Sequence, residues 1–340
     1  MRLSDLVREQ AQDPSRHPGV TPVSKAVPSG MSSGSEPAGV ISPPSQSAEM
    51  RDWYRSAYEL AIAVRQAVRG GAPIPMDRCA SVATELVGAL EASDEPIQHV
   101  LTAHSDDYQI ANAIHVAILS VKIGMGLQTE SPMLQRLAMA GLLHDVGMWL
   151  VPDSVVCKPA ALTEDERALI HAHPEQGRRL TAALGDGAEW LATTIAQEHE
   201  RWDGSGYPCR LQGGAIDEYA QIVGLADTLD ALVMARPYRK RLTPHHALRN
   251  LVTEHKQAFS SRILKAVMDQ LSLYPVGTTV RLNDGQVGVV SKINPRLPLR
   301  PVILTTRTTA GGGRPERVPM DLRQESTIHV VEVIPSELAA

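Results

Sequence analysis

The chain has 340 residues, 43% of them hydrophobic, and a formal net charge of −5. That is enough for one large packed domain plus a smaller one, and the acidic balance argues against a general nucleic-acid binder, which is usually basic. The cysteines Cys79, Cys157 and Cys209 lie far apart with no CxxC pair, so no disulfide framework is expected and a reducing cytosol is the natural compartment.

From about Ser15 to Ser47 the chain is rich in Pro, Ser and Gly, as in PSGMSSGSEPAGVISPPSQS. Such a stretch buries too little apolar surface to offset the cost of ordering, so residues 1–49 are read as a disordered tail. Neither a signal peptide nor an apolar run long enough to cross a bilayer is expected. The nearest candidate, Leu134 to Leu143, is short and interrupted by Gln135 and Arg136.

Between Asp52 and Arg69 the residues Tyr54, Tyr58, Leu60, Ala61 and Val64 recur at helical spacing. A second helix is expected from Met76 to Ala92, after the break at Gly70, Gly71 and Pro73, which makes 50–95 an N-terminal helical segment. The main domain, 96–273, reads as helix after helix. Ile110, Ile114, Ile118, Val121 and Met125 stripe one helix that ends near Gly126, and another spans Met133 to His144. Thr163 with Glu166 is a capping-box signature for a helix that stops before Pro174. Later helices are expected over Glu189 to His199, Tyr219 to Met234, Pro244 to Glu254 and Ser261 to Leu271. After Tyr274 strands take over, at Thr278 to Leu282, Val287 to Ile293, Val302 to Thr306 and Ile328 to Ile334. Asn283-Asp284-Gly285 reads as a hairpin turn and Gly311-Gly312-Gly313 as a further loop. The fold class is mainly α: a helical bundle followed by a small C-terminal β module over 274–340.

Residue types that hold metal ions are scattered through the helical part. His144-Asp145 ends a helix in LLHDVG, His173 lies in HAHPEQG, Glu198-His199 in QEHERWDGSGYP and Asp227 in LADTLDAL. Imidazole nitrogen with carboxylate oxygen suits Fe, Mn, Zn or a similar divalent ion. An aspartate can bridge two such ions, and a pair can activate water and stabilise both oxygens of an in-line phosphate displacement. Taken singly, each residue has an ordinary explanation: a helix cap, a surface pair, a buried hydrogen-bonded acid.

Together, the strings HDVGMWLVPDSVVCKPAALTEDE, HAHPEQG, EHERWDGSGYP and LADTLDALVMARPYRK resemble the HD-GYP family, a branch of the HD phosphohydrolase superfamily. They run in the family's order from about Ala103 to Leu273, and the β segment beginning YPVGTTVRL resembles a tail found on many such proteins. The resemblance implies an HD-type all-α bundle that hydrolyses cyclic di-GMP to pGpG or GMP with two divalent metal ions, Fe, Mn or similar. It implies His144, Asp145, His173, Glu198, His199 and Asp227 as metal ligands, Asp145 as the bridge, and Asp230 as a catalytic neighbour of the attacking hydroxide. Arg236 and Arg239 match positions that grip ligand phosphates, a task that suits the guanidinium fork. Gly206-Tyr207-Pro208 matches the signature loop, linked in the family to substrate-site shape, with Tyr207 beside substrate, and to contacts with diguanylate cyclase (GGDEF) proteins.

The chain departs from the pattern in places. Glu198 stands where the family usually has a histidine, and Met148 where it has a phosphate-contacting lysine. In YQIANAIHVAILS, Asn112 falls on a metal histidine and Tyr108 on the glutamate that serves a third ion in some members. His115, three residues on, is near the same helix face and is the alternative ligand. The departures leave open an impaired domain that binds cyclic di-GMP or a signalling partner without turnover.

Overall fold

The computed structural model describes residues 48–102, 107–185, 187–234, 242, 244–271, 274, 276–294, 297, 300–307 and 316–334. The expected tail before residue 48, the loop at Gly311-Gly312-Gly313, and Arg236 and Arg239 lie outside the described residues.

Helix α1 (Ala48–Gly70) and helix α2 (Met76–Ala92) form where the apolar spacing places them, separated by the Gly-Gly-Ala-Pro break. Their buried faces, Trp53, Leu60 and Val64 on one and Leu86, Val87 and Leu90 on the other, join a single apolar core with Ile114, Ile118 and Leu225. Arg69 fastens the end of α1 to the helices beyond it, donating to the carbonyl of Trp149 at 3.2 Å and pairing with Asp153.

Helix α3 (Glu95–Thr102) leads to α4 (Tyr108–Gly126), the centre of the bundle. Asp107 caps α4 by accepting from the Ile110 amide. The sequence suggests one apolar stripe on α4, but the helix is buried nearly all round, because α1, α2, α3, α5 (Ser131–Leu143) and the later helices α10 (Glu218–Val233) and α12 (Ser261–Gln270) all pack against it. Its 19 residues and mean hydropathy of 1.2 satisfy the length and composition of a membrane span, contrary to expectation, yet 78% of it is buried inside the protein. An all-round apolar helix is what a bundle centre needs.

Beyond α5, a 3₁₀ turn (Val146–Leu150) and the short α6 (Asp153–Val156) precede α7 (Glu164–His171), which carries the expected reciprocal capping box between Thr163 and Glu166. The chain does not stop at Pro174. A new helix, α8 (His173–Ala182), starts there with the proline in its first turn, where a missing N–H costs nothing. Helix α9 (Glu189–Gln197), α10, α11 (Pro244–Thr253) and α12 complete the helices.

Among the described residues five antiparallel strands follow, β1 (Thr279–Leu282), β2 (Val287–Lys292), β3 (Val302–Arg307), β4 (Glu316–Asp321) and β5 (Val330–Val333), in the order β4-β3-β2-β1-β5. Val280 and Leu282 point into a small core with Val290, Ile303 and Leu322, while Arg281 points out and pairs with Glu332. Gly285 closes the β1–β2 hairpin at φ +86°, a left-handed conformation that glycine adopts freely. Strand β4 has no counterpart in the sequence reading, and it contains Pro319. It is an edge strand, with Pro319 opposite Leu304 of β3, where a proline is tolerated.

Candidate metal centre

Three chain segments deliver polar side chains to one point. His144 caps the C-terminus of α5 and Asp145 follows it. His173 is the first residue of α8, and Glu198 caps the C-terminus of α9, with His199 next. Two helix C-termini thus aim their partial negative charge at the same place, which favours a cation.

Ligand atoms of Asp145, His173, Glu198 and His199 all lie within 4.8 Å of one another. His173 Nε2 is 3.1 Å from Asp145 Oδ1, 3.3 Å from Glu198 Oε1 and 3.0 Å from His199 Nε2. Backbone carbonyls fix the ring tautomers: His173 Nδ1 donates to Ile170 O at 2.6 Å and His144 Nδ1 to Gly141 O at 2.8 Å. Each Nε2 therefore turns a lone pair inward, the usual arrangement behind a metal-bound imidazole. Glu198 Oε2 and His144 Nε2 are buried with no hydrogen-bond partner among the described residues. Lone pairs crowded together with orphaned acceptors make a poor hydrogen-bond network and a good cation cage. The residues present fit a divalent ion.

The electrostatics agree. Burial opposes charge on His173, but the carboxylates of Asp145 and Glu198 outweigh it and lift the ring to about 10. Burial acts the same way on His144, and Glu198, Asp145 and Asp227 raise it to about 9. Burial pushes Glu198 up to about 7 against the pull of His144 and His173. Burial would also raise Asp145, yet the rings of His144, His173 and His199 hold it far below the usual carboxylate range. The pocket carries a negative field that seeks positive charge.

Asp227 stands at the margin, its Oδ1 3.9 Å from His144 Nε2, while His144 Nε2 is 3.7 Å from Asp145 Oδ2. Asn112 lies among these carboxylates, as the sequence alignment places it. Its Nδ2 donates to Asp227 Oδ1 at 3.1 Å and to Asp230 Oδ2 at 2.8 Å. His115 does not reach the cluster in its stead; it lies behind, with Nδ1 2.9 Å from Asp230 Oδ1. Asp230 is fully buried, with both oxygens engaged. Both oxygens of Asp230 are held by side chains of α4, Asn112 and His115. Met148, on the turn after Asp145, is half-buried and supplies no charge.

Tyr207 sits against the cluster. Its ring is stacked between His171, at 4.3 Å, and His199, at 4.7 Å, so both faces are taken and neither is open to a substrate base. Its amide donates to the carbonyl of His199 at 3.2 Å. The tyrosine of the signature loop therefore braces a candidate ligand.

Glu200 and Arg201 escaped the sequence reading. Glu200, buried, accepts from the amides of Cys209 at 2.6 Å and Leu211 at 2.9 Å, and Arg201 donates to the carbonyls of Glu198 and Glu200. Between them they hold the Gly-rich loop closed. In EHER both look like solvated charges, and the only signal was that a loop of this kind needs an acceptor for its amides. Glu200→Ala is expected to cost about 2 kcal/mol and to speed amide exchange across residues 201–211. Unchanged exchange there would remove Glu200 from this role.

Helix ends that bring His-Asp, His and Glu-His to one point make a candidate cation site in an HD-type helical bundle. Residues 93–263 match the HD domain family, and residues 279–339 match a KOW domain associated with HD domains. The chain belongs to the HD domain family, in its HD-GYP branch. It is 32% identical over 197 residues to the cyclic di-GMP phosphodiesterase PA4108 of Pseudomonas aeruginosa, covering 58% of this chain and 47% of that protein. It is 41% identical over 155 residues to the cyclic di-GMP phosphodiesterase response regulator RpfG of Xanthomonas campestris pv. campestris, covering 45% and 40%. A 3'3'-cGAMP-specific phosphodiesterase of Vibrio cholerae is 40% identical over 115 residues, covering 34% and 26%. The chain thus spans about half or less of the length of these relatives. Among solved structures, Bd1817, an HDG"Y"P protein from Bdellovibrio bacteriovorus, shares the fold with a TM-score of 0.51 at 19% identity, covering 65% of this chain and 69% of that one.

Proposed function

We propose that this chain is a cytoplasmic, divalent-metal-dependent phosphodiesterase that hydrolyses cyclic di-GMP. The observation that carries the reading is the convergence of Asp145, His173, Glu198 and His199 on one point. The relatives named for cyclic di-GMP, which match over the longer stretches, support the substrate. Fe or Mn suits this mixed nitrogen and oxygen set, and when bound such an ion supplies Lewis acidity toward water and the phosphoryl oxygens. The chain's own groups do the rest. Asp145 and Glu198 hold the site's negative charge, carbonyls of Ile170 and Gly141 fix the rings of His173 and His144, and Tyr207 braces His199.

The phosphates are assigned to Arg236 and Arg239. Arg236→Ala is expected to weaken cyclic di-GMP binding about tenfold or more without changing metal content. Loss of metal with unchanged nucleotide affinity would move this arginine to the metal side. The signature loop Gly206-Tyr207-Pro208 is the surface we assign to diguanylate cyclase (GGDEF) partners.

The test is incubation of the purified chain with Mn²⁺ and cyclic di-GMP, with 3'3'-cGAMP in parallel, and chromatography of the products. Linear pGpG or GMP is the expected result, and hydrolysis of 3'3'-cGAMP alone would transfer the assignment to that substrate. A second reading, binding without turnover, is favoured by one observation, the engagement of Asp227 and Asp230 by the Asn112 amide. Tight binding with no product decides for it.

A further inference from the structure

An ion needs lone pairs that converge, and the residues around Asp227 are arranged otherwise. The Asn112 amide spends its N–H donors on two carboxylates, Asp227 at 3.1 Å and Asp230 at 2.8 Å. It therefore turns partial positive charge toward the place where an imidazole would turn a lone pair. The reverse orientation would aim the amide oxygen at both carboxylates, so electrostatics fixes the direction. One turn along the helix, His115 gives its Nδ1–H to the other oxygen of Asp230, at 2.9 Å.

Spacing makes the match. Asn112 and His115 are three apart on α4, Asp227 and Asp230 three apart on α10, and the two pairs face each other in the core. Asp230 is fully buried with both oxygens engaged, so taking its donors away would leave buried carboxylate oxygens without partners. His144 Nε2 lies 3.7 Å from Asp145 Oδ2 and 3.9 Å from Asp227 Oδ1, so a second ion there would have to share Asp227 Oδ1 with the Asn112 amide. Asn112 is thus more than a missing ligand, because it belongs to a set that offsets the charge of Asp227 and Asp230 by hydrogen bonds.

We propose that the centre is mononuclear, with one ion on Asp145, His173, Glu198 and His199, and with the Asn112–His115–Asp230 network in place of a second ion beside Asp227. The inference deepens the phosphodiesterase reading and rests on it only for the chemistry of the first site. It narrows the pair of ions implied by the resemblance to one.

The test uses the full chain, stripped with a chelator, reloaded with Mn²⁺ and desalted. Metal is counted by mass spectrometry, and the electron paramagnetic resonance spectrum separates isolated Mn²⁺ from an exchange-coupled pair. One Mn²⁺ per chain with an uncoupled spectrum is expected. Asn112→His is expected to raise the count to two and to bring in the coupled signal. Two ions or none in the unmodified chain overturns the proposal, and this readout stands even where the variant does not fold. A folded Asn112→His protein that still holds one ion overturns the role given to Asn112. Because no nucleotide is present, the two readings fail separately: one ion without hydrolysis sinks the enzyme reading alone, and two ions with hydrolysis sink the mononuclear centre alone.

Discussion

Asp145→Ala is expected to remove both bound metal and turnover. Its carboxylate lies 3.1 Å from His173 Nε2 and 3.7 Å from His144 Nε2, so it pairs with both rings. Its removal leaves Glu198 as the sole carboxylate of the cluster, and burial already pushes Glu198 up to about 7, toward the neutral form that binds cations poorly. Lewis-acid stabilisation is worth several kcal/mol, so its loss corresponds to a rate drop of roughly a thousandfold or more. The fold should survive, because Asp145 is no part of the apolar core. The measurements are metal content, circular dichroism and product formation. A folded Asp145→Ala protein that keeps its metal would take Asp145 out of the cage.

The other large effect is expected from one added methyl. A Cβ at Gly147 would lie 2.1 Å from the carbonyl oxygen of His173 and 2.7 Å from the amide nitrogen of Gly177. Both obstacles are backbone, so no side chain can turn aside, and α8 must move bodily. Overpacking of this kind costs about 1–3 kcal/mol or more, a fall in Tm of roughly 5 °C. Since His173 is the first residue of α8, metal affinity should fall together with stability. The conjunction is the signature: a drop in Tm with undisturbed metal affinity would mean that α8 yields elsewhere, and no drop at all would refute the tight approach.

Much of this arrangement is written locally in the sequence. The apolar spacing of α1 and α2, the Thr163–Glu166 capping box and the Asn-Asp-Gly hairpin are short-range signals that the structure realises at those positions. Asn112 falls on a metal-histidine position through the family resemblance, and the structure finds it beside Asp227 and Asp230. What escaped needed knowledge of neighbours distant in sequence. His173-Pro174 ends a helix or begins one, and only the packing of Gly147 on its backbone settles which. Pro319 argues against a strand unless the strand is known to lie at an edge. The ring of Tyr207 could have faced a substrate, and nothing in GYP reveals that His171 and His199 cover it. Glu200 resembles a solvated charge until the loop folds back over it. The partners of Asp230 escaped for the same reason, since its two donors lie on a helix more than a hundred residues away in sequence.

The burial of α4 on every side has a kinetic consequence. A helix packed against α1, α2, α3, α5, α10 and α12 cannot loosen by itself, because every way out of the bundle parts it from several neighbours at once. Its amide hydrogens should exchange with solvent only through opening of the bundle as a whole, at the slow limit of the domain, while the loop over residues 201–211 exchanges through smaller, faster openings. The floor of the pocket, where Asn112 and His115 reside, would then be fixed for the lifetime of the folded molecule, and whatever adjusts the pocket from moment to moment must act from its rim.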